Sequence, residues 1–410
     1  MLLRFFILCF CFVGVASGAR NDLAGNPILS KIEISGLGRT SQSVVFQELR
    51  FREGDRISVA DYDESIQRLR NLRIFSVVEP HIEMKDDGTV ALSIGLEEKW
   101  TTVPITKFSS GGGAQHLIVG TYDINVLGKY KEVGGQYENY NGKHSAVLWY
   151  RNPRFLKRRL LFGIDGWTVR RPVTLYDTRA LVIDDFALDR KKLNLFVEWE
   201  YQAWLTVGTG FEFDRDKYSD ITSNTNIARL NLTLGRLNYD NYLIKGHYLR
   251  LDLEQAIDSG KDTESFSRML WDGQLYFRTP LYSNIALHMR FGLSNADPIQ
   301  HQFAVGGLEN VRGYFDGQFR GKTFWQLNAE FRLPSYRSRW FVLQHIFFYD
   351  ATQTSDELNE LFDSHYRSSY GSGIRLISPK VYRLTARIDY ALTNSATGAS
   401  AISFGAQQFF

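Results

Sequence analysis

The residues able to do chemistry in this 410-residue sequence are scattered where most of them cannot act together. None of the eight histidines has the H-x-x-x-H or H-E-x-x-H spacing that presents two imidazoles together, so no metal site is expected. Ser364-His365 are adjacent in a polar stretch, and adjacency does not supply the convergence of a hydrolytic triad. No phosphate-binding glycine motif occurs; Gly111-Gly112-Gly113 reads as a loop between alternating segments. Both cysteines, Cys9 and Cys11, fall in a leader, which removes disulfides, thiolates and cysteine metal sites from the mature chain. No enzyme and no cofactor is therefore expected. What remains is charge pairing. The segment Val305-Gly306-Gly307-Leu308-Glu309-Asn310-Val311-Arg312-Gly313-Tyr314 carries one arginine among glycines and apolar residues. Downstream, Trp325, Leu327, Ala329, Phe331 and Leu333 alternate as an apolar face, which turns Asn328, Glu330 and Arg332 to the opposite side.

Such a pattern needs long strands to position it. The chain is 14% aromatic, with 21 Tyr and 29 Phe, yet its mean hydropathy is −0.25. Aromatic-rich but polar overall suits a β-barrel, whose strands meet lipid on one face and water on the other. From about Trp100 the sequence alternates with period two. Ile285, Leu287, Met289, Phe291 and Leu293 oppose Ala286, His288, Arg290 and Gly292. Ala228, Leu230, Leu232 and Leu234 oppose Arg229, Asn231, Thr233 and Gly235. Tyr382, Leu384, Ala386, Ile388 and Tyr390 oppose Arg383, Thr385, Arg387 and Asp389. Charged residues along the inner side of segments of about 9–12 residues fit a watery lumen better than a sandwich core. At roughly 18–20 residues per strand and connection, residues 100–410 provide about sixteen antiparallel strands. The last strand puts Ile402, Phe404, Ala406, Gln408 and Phe410 on one face.

The N-terminus reads as a secretory leader, residues 1–19. Arg4 precedes an apolar run from Phe5 to Val15, and Ser17-Gly18-Ala19 offers small residues for cleavage. No later run approaches 18 apolar residues, and a closed barrel is the other way to satisfy every backbone group in lipid. A net charge of +3 with short charge blocks gives no reason to expect nucleic acid. Residues 27–99 read as a small α+β unit in the order β-α-α-β-β. Lys31–Ile34 is the first strand, Ser41–Arg50 a short helix with Val44, Val45 and Leu49 inward, and Asp61–Leu72 a second helix. A strand from Phe75 to Met84, a turn at Asp86-Asp87-Gly88 and a strand from Val90 to Leu96 complete it.

Gly-Gly, a short spacer and Val-Arg-Gly-Tyr resemble the signature loop of the BamA/TamA (bacterial surface antigen) family of outer-membrane assembly factors. The β-α-α-β-β unit looks like that family's polypeptide-transport-associated (POTRA) domain, and the resemblance spans about residues 28–410. It implies that the loop of Gly306, Gly307, Val311, Arg312, Gly313 and Tyr314 folds back into the barrel. There Arg312 would pair with inward Glu330 and with Asp350, which ends the aromatic-x-Asp pattern Phe348-Tyr349-Asp350. It also implies a weak seam between the first strand, from Thr101 to Phe108, and the last, with Ile402, Phe404, Phe410 and the side-chain-free Gly405. The strand carrying Phe75, Val77, Val78 and Ile82 would offer its edge to clients, with Pro80 limiting the pairing. The implied function is insertion or translocation of unfolded outer-membrane or secreted proteins. It would act in the lipid bilayer of the bacterial outer membrane, with the small domain in the periplasm among chaperones or accessory lipoproteins. The alternatives are a secretion pore of the two-partner type and a passive channel. Two-partner transporters usually carry two front domains and a plug helix, whereas about seven residues precede the one domain here. A single front domain points to a specialised paralogue.

Overall fold

The computed structural model describes residues 23, 25–111, 114–176, 181–218, 221–257, 265–307, 310–362, 366–394 and 401–406. The expected leader, residues 1–19, and Phe410 lie outside these.

The small domain runs Leu29–Ser35 (β1), Gln42–Phe46 (α1), Val59–Asn71 (α2), Phe75–Met84 (β2) and Val90–Glu98 (β3). β3 is central, parallel to β1 and antiparallel to β2. The first helix is shorter than the apolar spacing predicts. After Phe46 the chain turns, and Glu48, buried, meets Arg154, in the connection after Asn152, at 2.6 Å. The second helix starts two residues before Asp61, because Ser58 Oγ accepts the Asp61 amide at 3.1 Å and caps it. Arg68 and Arg70 in its last turn complement the helix dipole. Val45, Ile66, Leu69, Leu92 and Ile94 fill the core between helices and sheet. Each such side chain contributes about 1.5–3 kcal/mol by leaving water.

The large sheet has sixteen strands, all in antiparallel pairs. They are Thr102–Gly111 (β4), Ala114–Asp123 (β5), Glu132–Tyr140 (β6), Lys143–Asn152 (β7), Leu160–Tyr176 (β8), Val182–Gln202 (β9), Leu205–Tyr218 (β10), Ile221–Asp240 (β11), Leu243–Ile257 (β12), Ser267–Thr279 (β13) and Ser283–Ser294 (β14). Two three-residue strands, Phe303–Val305 (β15) and Phe319–Gly321 (β16), pair with each other outside that sheet. Thr323–Arg337 (β17), Val342–Ser355 (β18), Arg367–Ile377 (β19), Thr385–Thr393 (β20) and Ala401–Ala406 (β21) complete the large sheet. β17 pairs directly with β14, so the 28-residue connection between them, residues 295–322, lies off the ladder.

Alternation determines what each face meets. Ala386, Ile388 and Tyr390 point outward while Arg387 and Asp389 are buried inside. The inner charges pair across strands: Arg190 with Asp216 at 2.6 Å, Arg229 with Glu254 at 2.7 Å, and Arg250 with Glu198 at 2.9 Å. Strands β8, β9 and β11, of 17, 21 and 20 residues, exceed the 9–12 expected from spacing alone. A bilayer needs only about 9–11 tilted residues, so these strands continue as hairpins beyond it. β20 begins later than the alternation suggests. Tyr382, Arg383 and Leu384 belong to the turn before it, and Arg383 has φ of 49°. Among the described residues no helix is long and apolar enough to cross a membrane; the strands do the spanning.

The small domain sits against one end of the sheet. The core around Leu92 and Ile94 continues into Val103, Tyr122 and Ile124 of the large sheet. Arg236 on β11 forks onto Glu64 of α2 at 2.7 and 2.9 Å. Asn125 Nδ2 donates to Thr40 Oγ1 at 2.8 Å, and Lys380 pairs with Glu97.

Candidate functional site

Antiparallel register brings the clamp together. β17 pairs with β18 so that Asn328 faces Asp350 and Glu330 faces Phe348, all turned inward. From the loop, Arg312 reaches into this patch. Its Nε donates to Asp350 Oδ2 at 2.7 Å, its Nη2 to Asp350 Oδ1 at 2.8 Å, and its Nη1 to Glu330 Oε1 at 2.7 Å. The Arg312 amide also lies 3.2 Å from Asp350 Oδ2. The Phe348 ring lies under the guanidinium, 3.5 Å from ring centre to Cζ. Arg312, Glu330 and Asp350 are at most 2% exposed. Bidentate pairing satisfies a planar cation that would be costly to bury alone.

The network extends past the three residues that the sequence singles out. Arg332 donates to Glu330 Oε2 at 2.8 Å. Arg375 on β19 donates to Asp389 Oδ1 at 2.6 Å and to Glu330 Oε1 at 3.3 Å, and Asp389 lies 3.8 Å from Arg312 Nη1. Alternation already turns Asp389 inward as lumen wall, but only the register of β17 to β20 shows that it meets Glu330's neighbours. Phe348 shares Asp350's face two residues away, which is the one sequence signal for it. Arg375 stands on β19, a strand in which the sequence marks no functional residue.

Around Arg312 the loop is packed. Val311 and Tyr314 are buried with Val305 and Phe324, and Phe303 and Phe319 cover them. The Tyr314 hydroxyl lies 2.9 Å from the Ser368 carbonyl, to which it donates. Gly306 and Gly307 open the turn after β15, and Gly306 has φ of 122° with the Phe315 carbonyl 2.5 Å from where a Cβ would stand. Gly313 has φ of 90°, and a Cβ there would come within 2.8 Å of Thr393 Cγ2. Both positions therefore require glycine on conformational and steric grounds.

At the proposed seam, β4 and β21 are the two ends of the sheet order. They lie beside each other with Cα atoms within 8 Å, but among the described residues no ladder joins them. Backbone contact is made at the small-domain end instead. The Trp100 amide donates to the Lys380 carbonyl at 2.9 Å, and the Tyr382 amide to the Trp100 carbonyl at 3.0 Å. Phe108 lies in β4 opposite Leu117, while Ile402, Phe404 and Gly405 lie in β21 opposite Tyr390, Ile388 and Arg387. Thr101 stands just before β4 and turns away from the last strand. Its hydroxyl donates to Asp123 at 2.9 Å and accepts from Arg39 at 3.3 Å, so it serves the domain junction.

In the small domain, β2 is an edge strand. Phe75, Val78 and Ile82 are buried in the core, and Val77 is half-buried. The outward feature of this strand is its backbone. Pro80 lies within it, opposite Ile94. The other edge, β1, is partly occupied: the Leu29 amide donates to Asp55 at 2.9 Å and the Gly54 amide to Leu29 at 2.7 Å. Among the described residues no group of three or more His, Cys, Asp or Glu could hold a metal ion.

A sixteen-strand antiparallel sheet with polar interior and apolar exterior, fronted by one β-α-α-β-β domain, defines an outer-membrane barrel protein with a periplasmic domain. Residues 125–410 match the Omp85 superfamily domain, and residues 27–99 match the POTRA family described as a surface antigen variable number repeat. The chain belongs to the Omp85 superfamily. It is 23% identical over 313 residues to the outer membrane protein assembly factor BamA of Nitratidesulfovibrio vulgaris. That alignment takes in 70% of this chain and 37% of the relative, so the chain matches well under half of that protein's length. Among solved structures, BamA from Haemophilus ducreyi lacking POTRA domains 1–3 has a TM-score of 0.56 at 14% identity, covering 92% of this chain and 84% of that one. CdiB from Escherichia coli has a TM-score of 0.64 at 13% identity, covering 93% and 76%. At these identities both likenesses concern the fold.

Proposed function

We propose that the protein assembles or translocates polypeptides at the outer membrane, taking unfolded outer-membrane or secreted proteins as clients and using neither cofactor nor nucleotide. The observation that carries this reading is the pair of edges β4 and β21, which no ladder joins among the described residues. In lipid an unpaired strand edge leaves backbone donors and acceptors unsatisfied, each at a cost of several kcal/mol. An incoming client strand offers the missing partners by β-augmentation, largely regardless of its side chains. The open edge of β2 suits the same recognition earlier on the route. Residues Arg312, Glu330 and Asp350 would hold the loop inside the lumen so that the wall keeps its shape while the seam parts. The energy would come from the client's own folding and burial.

The test is a disulfide lock. Cysteine pairs are introduced between Thr102–Gly111 and Ala401–Ala406, and the wild-type or locked protein is supplied to cells depleted of the native one. Locking is expected to reduce assembled barrel proteins in the outer membrane, with recovery on reduction. Full assembly through a locked seam would remove the basis for lateral insertion. Loss of one exported protein with barrels unchanged would favour a dedicated secretion pore.

A further inference from the structure

A cavity of about 790 Å3 lies at the end of the lumen covered by the small domain. Five cations line it: Arg73 and Lys99 from the small domain, Arg236 from β11, Arg383 from the turn before β20, and Arg387 from β20. The one lining carboxylate, Glu200, pairs with Arg159 at 2.5 Å. Arg236 is held by Glu64, and Arg387 faces Asp389 at 4.0 Å. Arg73, Lys99 and Arg383 have no carboxylate partner among the described residues. Arg73 lies over the rings of Tyr239 and Tyr382, at 4.2 and 5.4 Å. Arg383 has the Tyr382 phenol as its hydrogen-bond partner. Burial, and then the neighbouring Arg73 guanidinium, pull the Lys99 ammonium down to about 8. Grouped cations in a partly desolvated space repel one another unless an anion joins them.

Backbone geometry adds a second observation. Arg73 and Arg383 have φ of 61° and 49°, in the left-handed region disfavoured for any side chain with a Cβ. Glycine or asparagine would make these turns with less strain, yet both positions carry an arginine aimed at the same cavity. The C-terminus of α2 favours a cation at Arg73. It offers nothing to Lys99 or Arg383.

We propose that this cavity receives an acidic stretch of client polypeptide, its carboxylates set against Arg73, Lys99 and Arg383. The inference rests on the assembly reading and names the chemistry of the segment that is handled. The cavity is walled by inward residues of the sheet such as Thr206, Thr233 and Arg387, by the turns at 241–242 and 378–383, and by the small domain. Its size fits a few residues of extended chain, in the range of pockets that enclose a drug-sized ligand. Tyr239, Tyr242 and Tyr276 in the lining supply flat apolar surface beside the charges.

The test uses the purified full chain in nanodiscs and a dye-labelled hexapeptide rich in Asp and Glu. An Asn/Gln counterpart of the same length is the comparison. The acidic peptide is expected to bind about ten-fold tighter at low salt, and salt is expected to erode the difference. In a Lys99→Gln, Arg383→Gln double variant of unchanged melting temperature the preference should vanish, while Arg383→Lys should keep most of it. Equal binding of the two peptides by the wild-type chain overturns the proposal, even if the double variant does not fold. Displacement by inorganic phosphate at equal concentration overturns it in favour of a small-anion site. Binding that depends on anionic lipid in the disc overturns it in favour of a headgroup. Loss of peptide preference with client levels intact in cells would sink this inference alone. Unchanged clients after depletion of the whole protein would sink the assembly reading beneath it.

Discussion

Replacing Arg312 by methionine keeps the length and apolar stem of the side chain and removes its three charge-assisted bonds. Glu330 then retains Arg332 at 2.8 Å and Arg375 at 3.3 Å, so it remains paired. Asp350 is hit hardest, because Nε and Nη2 are both lost to it. It keeps Asn328 Nδ2 at 2.9 Å and the loop's own amide at 3.2 Å. Breaking a buried ion pair from one side costs about 3–5 kcal/mol, and Asp350's remaining donors place Arg312→Met near the lower end. That cost falls on the docked state of the loop, because the ladders of β17 and β18 do not pass through Arg312. About 3 kcal/mol is a change of about a hundred-fold in the population of undocked loop. Hydrogen exchange of amides in residues 310–318 should therefore accelerate about a hundred-fold, while exchange in β17 and β18 stays near wild type. Asp350→Asn tests the same network from the wall. Among the described residues the cluster holds Arg312, Arg332, Arg375 and Arg387 against Glu330, Asp350 and Asp389, so losing a carboxylate worsens an existing excess of positive charge. Exchange of the Arg312→Met loop within a factor of three of wild type would refute the clamp.

Gly313→Ala should also loosen the loop, by about 1–2 kcal/mol for the left-handed backbone and more if Thr393 cannot move from the added methyl, read by the same exchange experiment. The domain junction should be sensitive to acid through Glu98. Burial pushes its carboxyl up, but the amides of Thr40, Arg39 and Gly38, at 2.8, 3.0 and 3.2 Å, outweigh burial and hold it below its ordinary 4.5. A depressed folded pKa means that the unfolded chain binds more protons, so this contribution is complete above pH 4.5 and is lost as pH falls through the folded value. Proteolysis at residues 36–41 should rise over that window in wild type, and Glu98→Gln should cleave readily at neutral pH; equal acid response in both would show that Glu98 is not the group.

Much of this architecture was legible because its physics is periodic. Trp325 to Leu333 and Ile285 to Leu293 alternate so regularly that their inner faces follow directly, and Glu330 and Asn328 with them. Small residues at positions of positive φ made the loop legible too: Gly313 could be read as a turn without knowing what it turned into. What alternation cannot give is register. Which inner charge meets which depends on how far one strand slides against the next, so Arg375 and the junction of Asp389 with Arg312 appear only in three dimensions. Helix ends escape a local pattern for a related reason. α1 ends at Phe46, and two residues on Glu48 pairs with Arg154, more than one hundred residues away, a partner of which a local pattern carries no trace. The resemblance puts Thr101 at the seam, and only the folded chain shows its hydroxyl bonded to Asp123 and Arg39.

The two halves of the structure restrict each other in a way that neither shows alone. At the small-domain end, Trp100 exchanges backbone hydrogen bonds with residues 380 and 382, Lys380 pairs with Glu97, and a single apolar core runs from Leu92 through Tyr122. Towards the other end, β4 and β21 have no ladder among the described residues. Separation of those strands breaks few backbone bonds beyond the clasp but must break the clasp itself to reach the small domain. Under the proposed lateral opening, the cost would be least away from the small domain and would grow towards it, so a wedge-shaped gap hinged at Trp100 would be favoured over a parallel cleft. The clamp at Arg312 ties the loop to β17 and β18, with Arg375 and Asp389 joining the adjoining strands. Those strands form the wall beside β21, so holding the loop would also stiffen the side of the barrel next to the proposed seam.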